Sequence, residues 1–321
     1  MAMNRIAVLT TGGDAPGMNP AIRSVVRYGI SQKLEVMGVF RGWWGLINEE
    51  LKALNHRSVS GIINQGGTIL KTARCAEFKT EEGQDRAHNT IKKYGIDGLV
   101  VIGGNGSFTA AHEFYRKYKV PVVGIAASID NDVNGIDYTI GTDTAINTAL
   151  DAIDKIRDTA TSMERIFVVE VMGRDSGFIA LTVALAGGCE DVIIPEKKLD
   201  LEAICHGIVH GNLVGKMSWI IVVAEGAGKA VDIARQITEI TSLETRVVVL
   251  GHVQRGGSPT AVSRDLALTL GKYAVDCLLE GKTDIAVGAS CGKMVEVAFE
   301  IAIQKKELKI ENLFNLVKVL T

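Results

Sequence analysis

Short, continuously apolar runs recur along this chain, with helix-like stretches between them. The runs are RIAVLT, LEVMGVF, GLVVIG, VPVVGIA, RIFVVEVM, VIIP, WIIVVAE and RVVVLG. A strand with one solvated face alternates apolar and polar residues, whereas a strand covered by helices on both faces is apolar throughout. NPAIRSVVRYGI and DTAINTALDAIDKIRD read as helices, the first opened by Asn19 as N-cap with Pro20 at the first helical position. This alternation predicts an α/β chain with mostly parallel sheets, and 321 residues suffice for two such domains.

The bulk properties narrow the function. With 47% hydrophobic and 22% charged residues the chain is globular rather than disordered. A net charge of −2 without a lysine or arginine block excludes a nucleic-acid or membrane-surface partner, so local clusters must hold any anionic ligand. Runs such as WIIVVA are too short to span a bilayer, and the strand-like start leaves no room for a signal peptide. Five scattered cysteines, an odd number, fit a reducing cytoplasm. Cys205, His206 and His210 lack an evident fourth ligand and read as ordinary helix residues.

Open parallel sheets bind ligands beyond the carboxyl ends of their strands. Here those ends read Thr11-Gly12-Gly13-Asp14, Gly103-Gly104-Asn105-Gly106-Ser107, Ser128-Ile129-Asp130-Asn131-Asp132, Met172-Gly173-Arg174, Glu225-Gly226 and His252-Val253-Gln254-Arg255-Gly256-Gly257. Glycine turns with free N–H groups, arginines and loop carboxylates together suit phosphate chemistry. TTGGDAPGMNPAIR is neither a Walker loop nor a dinucleotide fingerprint, and a tight turn without ligand would use the same residues. In SIDNDVNG, Asp130 and Asp132 can divide proton acceptance and metal contact between them, or shape an Asx turn. Arg23 and Arg27, four apart on a helix, repel mildly unless an anion lies between them.

In this order, LTTGGDAPGMNPAIRSVVR, GGTILKTARC, VVIGGNGS, SIDNDVNGIDYTIGTDTA, EVMGRDSG, GGCED, VVAEGAG and LGHVQRGGSP resemble, nearly end to end, the compact bacterial ATP-dependent 6-phosphofructokinases. The resemblance implies two Rossmann-like three-layer α/β/α domains with mostly parallel sheets. Residues 1–141 plus about 259–305 would bind nucleotide, and 142–258 plus about 306–321 would bind sugar phosphate. It also implies a cytoplasmic homotetramer of glycolysis that moves the γ-phosphoryl group of ATP, with Mg2+, to the 1-hydroxyl of fructose 6-phosphate. By matching motif, Gly13 would donate its N–H to the transferring group, and Arg74 would bridge the phosphates beside Cys75. Gly104, Asn105, Gly106 and Ser107 would hold the ATP phosphates, with Trp43 in place of a tyrosine near the adenine. Asp130 would be the base, supported by Ser128, and Asp132 would position the metal. Met172, Gly173, Arg174, Glu225, His252 and Arg255 would hold the sugar phosphate, with Arg165 and Arg246 reaching in from a neighbouring subunit.

Several positions depart from the family pattern. Asn105 replaces a metal-site aspartate, Lys71 a glycine and Ala110 another glycine. Asparagine keeps the shape but loses charge, which weakens the hold on a hard cation. A sugar-phosphate-binding regulatory relative is therefore the competing reading. Pyrophosphate-using relatives carry aspartate at Gly106 and lysine at Ala127; neither stands here, which favours ATP. At the family's effector site for ADP or phosphoenolpyruvate, Arg23, Arg27, Arg157, Glu190 and Lys216 match, whereas His56, Gly61, Val214 and Ser218 do not. Missing charges cost anion affinity, so allosteric control is expected to be weak or altered.

Overall fold

A computed structural model describes residues 3–308 and 310–320. In chain order the elements are β1 (Arg5–Thr10), α1 (Met18–Ser31), β2 (Glu35–Val39), α2 (Trp43–Ile47), β3 (Leu51–Leu54), α3 (Glu81–Lys93), β4 (Gly98–Gly103), α4 (Asn105–Tyr118), β5 (Val122–Ser128) and β6 (Ile140–Gly141). There follow α5 (Thr142–Met163), β7 (Ile166–Val171), α6 (Phe178–Ala186), β8 (Asp191–Ile193), α7 (Leu201–Leu213), β9 (Trp219–Ala224), α8 (Ala230–Thr241) and β10 (Thr245–Val249). The chain closes with α9 (Ala261–Leu279), β11 (Ile285–Ser290), β12 (Lys293–Ala298), α10 (Phe299–Ala302) and α11 (Ile310–Leu320). It forms two compact units, Met1–Thr144 with Arg255–Lys306, and Ala145–Gln254 with Glu307–Thr321.

In the first unit the sheet order is β12-β11-β5-β4-β1-β2-β3, with β6 beside β5. β2, β1, β4, β5 and β11 run parallel, and β3 and β12 close the edges antiparallel. β4 is buried residue for residue, as its unbroken apolar run predicts. Alternate residues serve opposite faces. Ala7, Leu9, Leu99 and Val101 pack with Phe108 and Phe114 of α4 and Ile91 of α3. The equally buried Ile6, Val8, Val100 and Ile102 face the other way, toward the side where α1 and α9 pack together. Phe108 stacks on Phe299 at 5.1 Å between ring centroids. One local expectation is corrected: α1 starts at Met18 with Gly17 as its cap, so Asn19 is not the N-cap. Asn19 instead binds the 65–69 loop, donating to Gln65 O and Gly66 O and accepting from Ile69 N at 2.7 Å.

The second unit has four parallel strands in the order β10-β7-β9-β8. Its core joins Ile166, Val168, Ile221 and Val223 of the sheet to Ile208 of α7 and Ile237 of α8. Asp200 caps α7 by accepting from Ala203 N at 3.0 Å, and Lys318 of α11 pairs with the buried Asp191. Among the described residues no helix is long and apolar enough to cross a membrane.

Candidate active site

Three loops leave the carboxyl ends of the adjacent parallel strands β1, β4 and β5, and side chains tie them together. The Ser107 hydroxyl, in the first turn of α4, donates to Thr11 O in the turn after β1 at 3.0 Å. A Cβ on Gly103 would fall 2.4 Å from that hydroxyl oxygen and 2.6 Å from Thr11 O, so the approach requires glycine. Gly12 holds φ 87, and its carbonyl accepts from Thr72 at 2.7 Å. Gly13 lies against Arg255, whose Nη1 would be 2.8 Å from an added Cβ and donates to Asp14 O at 3.2 Å. Gly104 precedes α4, and a side chain on Gly106 would meet no atom within 4 Å. The result is a glycine-lined helix start with no acidic residue in its first turn, suited to an anion.

The loop after β5 is tied to this turn. The Asn105 amide donates to Asp132 O at 3.0 Å and to Asp132 Oδ2 at 3.3 Å. Ser128 donates to Asp132 Oδ1 at 2.8 Å and accepts from Asp130 N at 3.3 Å. Thr139 and Thr142 both donate to Ser128 O. Ser128, Asp130 and Asp132 are half-buried, leaving the carboxylates within reach of a substrate. These threonines, and Lys306 below the loop, were invisible to a reading confined to strand ends.

The remaining nucleotide-side candidates are Arg74, Cys75 and Trp43. Arg74 is exposed and Cys75 half-buried, its thiol pushed up by burial. Trp43 is a core residue, 4% exposed and stacked on Phe78 at 4.3 Å, rather than an open face for a base.

In the second unit the ends of β7 and β9 meet. Glu225 N donates to Val171 O at 2.9 Å and Gly226 N to Gly173 O at 3.1 Å. A Cβ on Gly226 would lie 1.7 Å from Arg174 O, so these turns close only around glycine. Met172 N donates to the wholly buried Gln254 at 2.8 Å, while Arg174, Glu225 and His252 are exposed. Arg165 and Arg246 share Glu244, which no motif had flagged; the Arg165 contact is 3.2 Å. Arg157 and Lys216 both face the buried Glu190, Lys216 at 3.4 Å. In the first unit, Arg23 and Arg27 line a cavity of about 430 Å³ with Tyr28 and Lys272. Burial, then the neighbouring Arg27, pulls the Arg23 pKa down.

A family model described as phosphofructokinase matches residues 5–278. The chain belongs to the phosphofructokinase family. The ATP-dependent 6-phosphofructokinase of Thermotoga petrophila is 51% identical over 319 residues, covering 99% of this chain and 100% of that one. Its counterpart in Clostridium botulinum strain Hall is 50% identical with the same coverage. Among solved structures, phosphofructokinase from Saccharomyces cerevisiae superposes with a TM-score of 0.89 at 34% identity, over 99% of this chain and 48% of the yeast one. This chain thus spans about half the yeast chain. A pyrophosphate-dependent phosphofructokinase from Marinobacter aquaeolei, at 20% identity and a TM-score of 0.86 over 99% of this chain and 91% of its own, shares the fold. Two α/β units with mostly parallel sheets are thus the phosphofructokinase fold.

Family membership raises the question of a divalent metal, which these residues fit as a substrate-borne ion. Among the described residues no three His, Cys, Asp or Glu side chains are grouped to hold a metal. A magnesium ion carried by a nucleotide needs only one or two carboxylates beyond phosphate oxygens and water. Asp132 supplies one, and the buried Asn105 Oδ1 has no hydrogen-bond partner, leaving an acceptor for a metal-bound water. Lys71 occupies the left-handed region with φ 59, a conformation natural to glycine rather than to a lysine.

Proposed function

We infer that this phosphofructokinase transfers the γ-phosphoryl group of ATP to the 1-hydroxyl of fructose 6-phosphate, giving fructose 1,6-bisphosphate and ADP. The observation that carries this reading is the tie running from Thr11 through Ser107 and Asn105 to Asp132 and Ser128. It places two glycine turns and two loop carboxylates on neighbouring strand ends of one sheet. The turn Gly104–Ser107 and the Gly13 N–H receive the nucleotide phosphates, and Arg74 adds charge to them. Asp130 accepts the hydroxyl proton as the oxygen attacks phosphorus. Ser128 holds the loop in register for that step. Arg174, Glu225, His252 and Arg255 bind the sugar phosphate, with the main chain at Met172 and Gly173. Asp132 and Asn105 would hold Mg2+, directly or through its water, and the ion would neutralise phosphate charge.

The donor is ATP, the donor named for the relatives 50–51% identical to this chain, and the phosphate turn is open at Gly106, where a side chain would meet no atom within 4 Å. The working form is a cytoplasmic homotetramer in which Arg165 and Arg246 serve a neighbour. Arg23, Arg27, Arg157, Glu190 and Lys216 form an effector site for ADP or phosphoenolpyruvate with reduced charge. The test is ADP release from MgATP and fructose 6-phosphate. Turnover abolished by Asp130→Asn supports the reading. Tight fructose 6-phosphate binding without ADP release would make the chain a regulatory sugar-phosphate binder instead.

A further inference from the structure

Lys306 ends the first unit, and no strand-end motif marks it. Its ammonium donates to two main-chain carbonyls of the loop after β5, Asn131 O at 2.9 Å and Ile136 O at 2.6 Å. Those residues are 0% and 1% exposed, so water is a poor substitute donor. The segment leading to Lys306 lies along the same loop. Val133 bridges antiparallel to Lys305, and Asn134 N donates to Ala302 O at 3.2 Å.

Asn131 sits between Asp130 and Asp132 with φ 52. A non-glycine residue stays in that region only when its surroundings fix it from several sides. Its side chain is fixed by two residues, donating to Asp137 O at 2.6 Å and accepting from Thr139 N at 3.1 Å and Thr139 Oγ1 at 3.4 Å. Lys306 fixes the main chain, because the Asn131 carbonyl belongs to the peptide leading into Asp132. If that peptide rotates, both carboxylates move.

We propose that Lys306 is a positioning residue for phosphoryl transfer, holding the loop that carries Asp130 and Asp132 through the Asn131 and Ile136 carbonyls. This rests on Asp130 being the base. A displacement of about 1 Å at a reacting group costs on the order of a hundredfold in rate, whereas a fold staple acts on stability alone.

The full-length wild type, Asp130→Asn, Lys306→Met and Lys306→Arg are assayed for kcat and for both KM values, with amide exchange measured on the same proteins. Methionine keeps the length and removes the donors; arginine keeps donors for both carbonyls. The proposal expects Lys306→Met to lose at least about tenfold in kcat with each KM within about threefold, and Lys306→Arg to regain most of the loss. Exchange should quicken at amides 129–139 in Lys306→Met. A Lys306→Met protein that melts earlier but keeps kcat within about twofold overturns it, as does a rise in KM at unchanged kcat. If Lys306→Met does not fold, Lys306→Gln, with one amide donor group, is judged by the same criteria. An inactive wild type, or an active Asp130→Asn, would defeat the functional reading itself.

Discussion

At the scale of single residues, Asn105 is the position on which metal use turns. Its amide donates to the main-chain carbonyl and the carboxylate of Asp132, orienting that side chain without any ion. Asn105→Asp would set two carboxylates side by side, which disfavours their joint ionisation until a cation arrives. The variant should melt lower than wild type in chelator, recover in magnesium, and reach half-maximal activity at a lower magnesium concentration. Melting curves with and without magnesium, and a magnesium titration of ADP release, check this. Lys71 offers a second test. A left-handed lysine costs about 1–2 kcal/mol and a glycine's extra unfolded freedom about 0.4–1 kcal/mol. Lys71→Gly should therefore stabilise the protein by up to about 1.6 kcal/mol in urea unfolding.

At the scale of elements, α4 separates packing from chemistry. Phe108 and Ser107 are neighbours on it, one facing Phe299 and the other the turn after β1. Phe108→Ala should cost about 3–5 kcal/mol with kcat retained in the folded fraction. Ser107→Ala should cost about 1–2 kcal/mol of stability yet lower kcat more than Phe108→Ala does, because it unties two phosphate-facing turns. Denaturant midpoints set against kcat distinguish the two. The edge strand β12 carries one acid-sensitive contact. Glu296 accepts from Lys282 at 2.7 Å and Tyr273 at 2.6 Å, and chiefly the Lys282 bond pulls its pKa below the ordinary 4.5. A depressed carboxylate contributes stability that is complete above about pH 4.5 and lost as the pH falls through its lower folded value. Glu296→Gln should flatten the fall of the melting temperature as the pH drops below about 4.5.

At the scale of the whole molecule, Arg165, just before β7, and Arg246, on β10, offer a test of assembly. If Arg165 and Arg246 serve a neighbouring subunit, Arg246→Ala and Asp130→Asn chains should each be inactive alone and regain activity when co-expressed. ADP release by the purified mixed oligomer checks this, and two inactive chains that stay inactive together would count against shared sites. The α/β architecture was legible because fully covered strands are apolar throughout, and the eight runs read as strands all became strands, although the apolar run of β10 proved to be a partly exposed edge strand rather than a covered one. β3, β6 and β12 escaped notice because edge or two-residue strands carry mixed or minimal patterns, and the internal β11 because its run IAVGAS is short and rich in small residues. Glycine turns and loop aspartates announced themselves by position. Lys306, Glu244 and the threonines under Ser128 did not, since their use depends on contacts across many residues of chain.

The first unit is built from two separated lengths of chain, and this has a consequence during synthesis. β5 is complete at Ser128, yet its neighbour β11 begins only at Ile285. At about 5–20 residues per second the ribosome needs roughly 8–30 s to deliver that partner. Throughout that interval the nascent sheet presents the open, apolar flank of VVGIAAS to whatever else is being made nearby. A newborn chain is therefore most vulnerable to clumping late in translation, and holding that flank shielded until Ile285–Ser290 emerges is a task for the cell's chaperones.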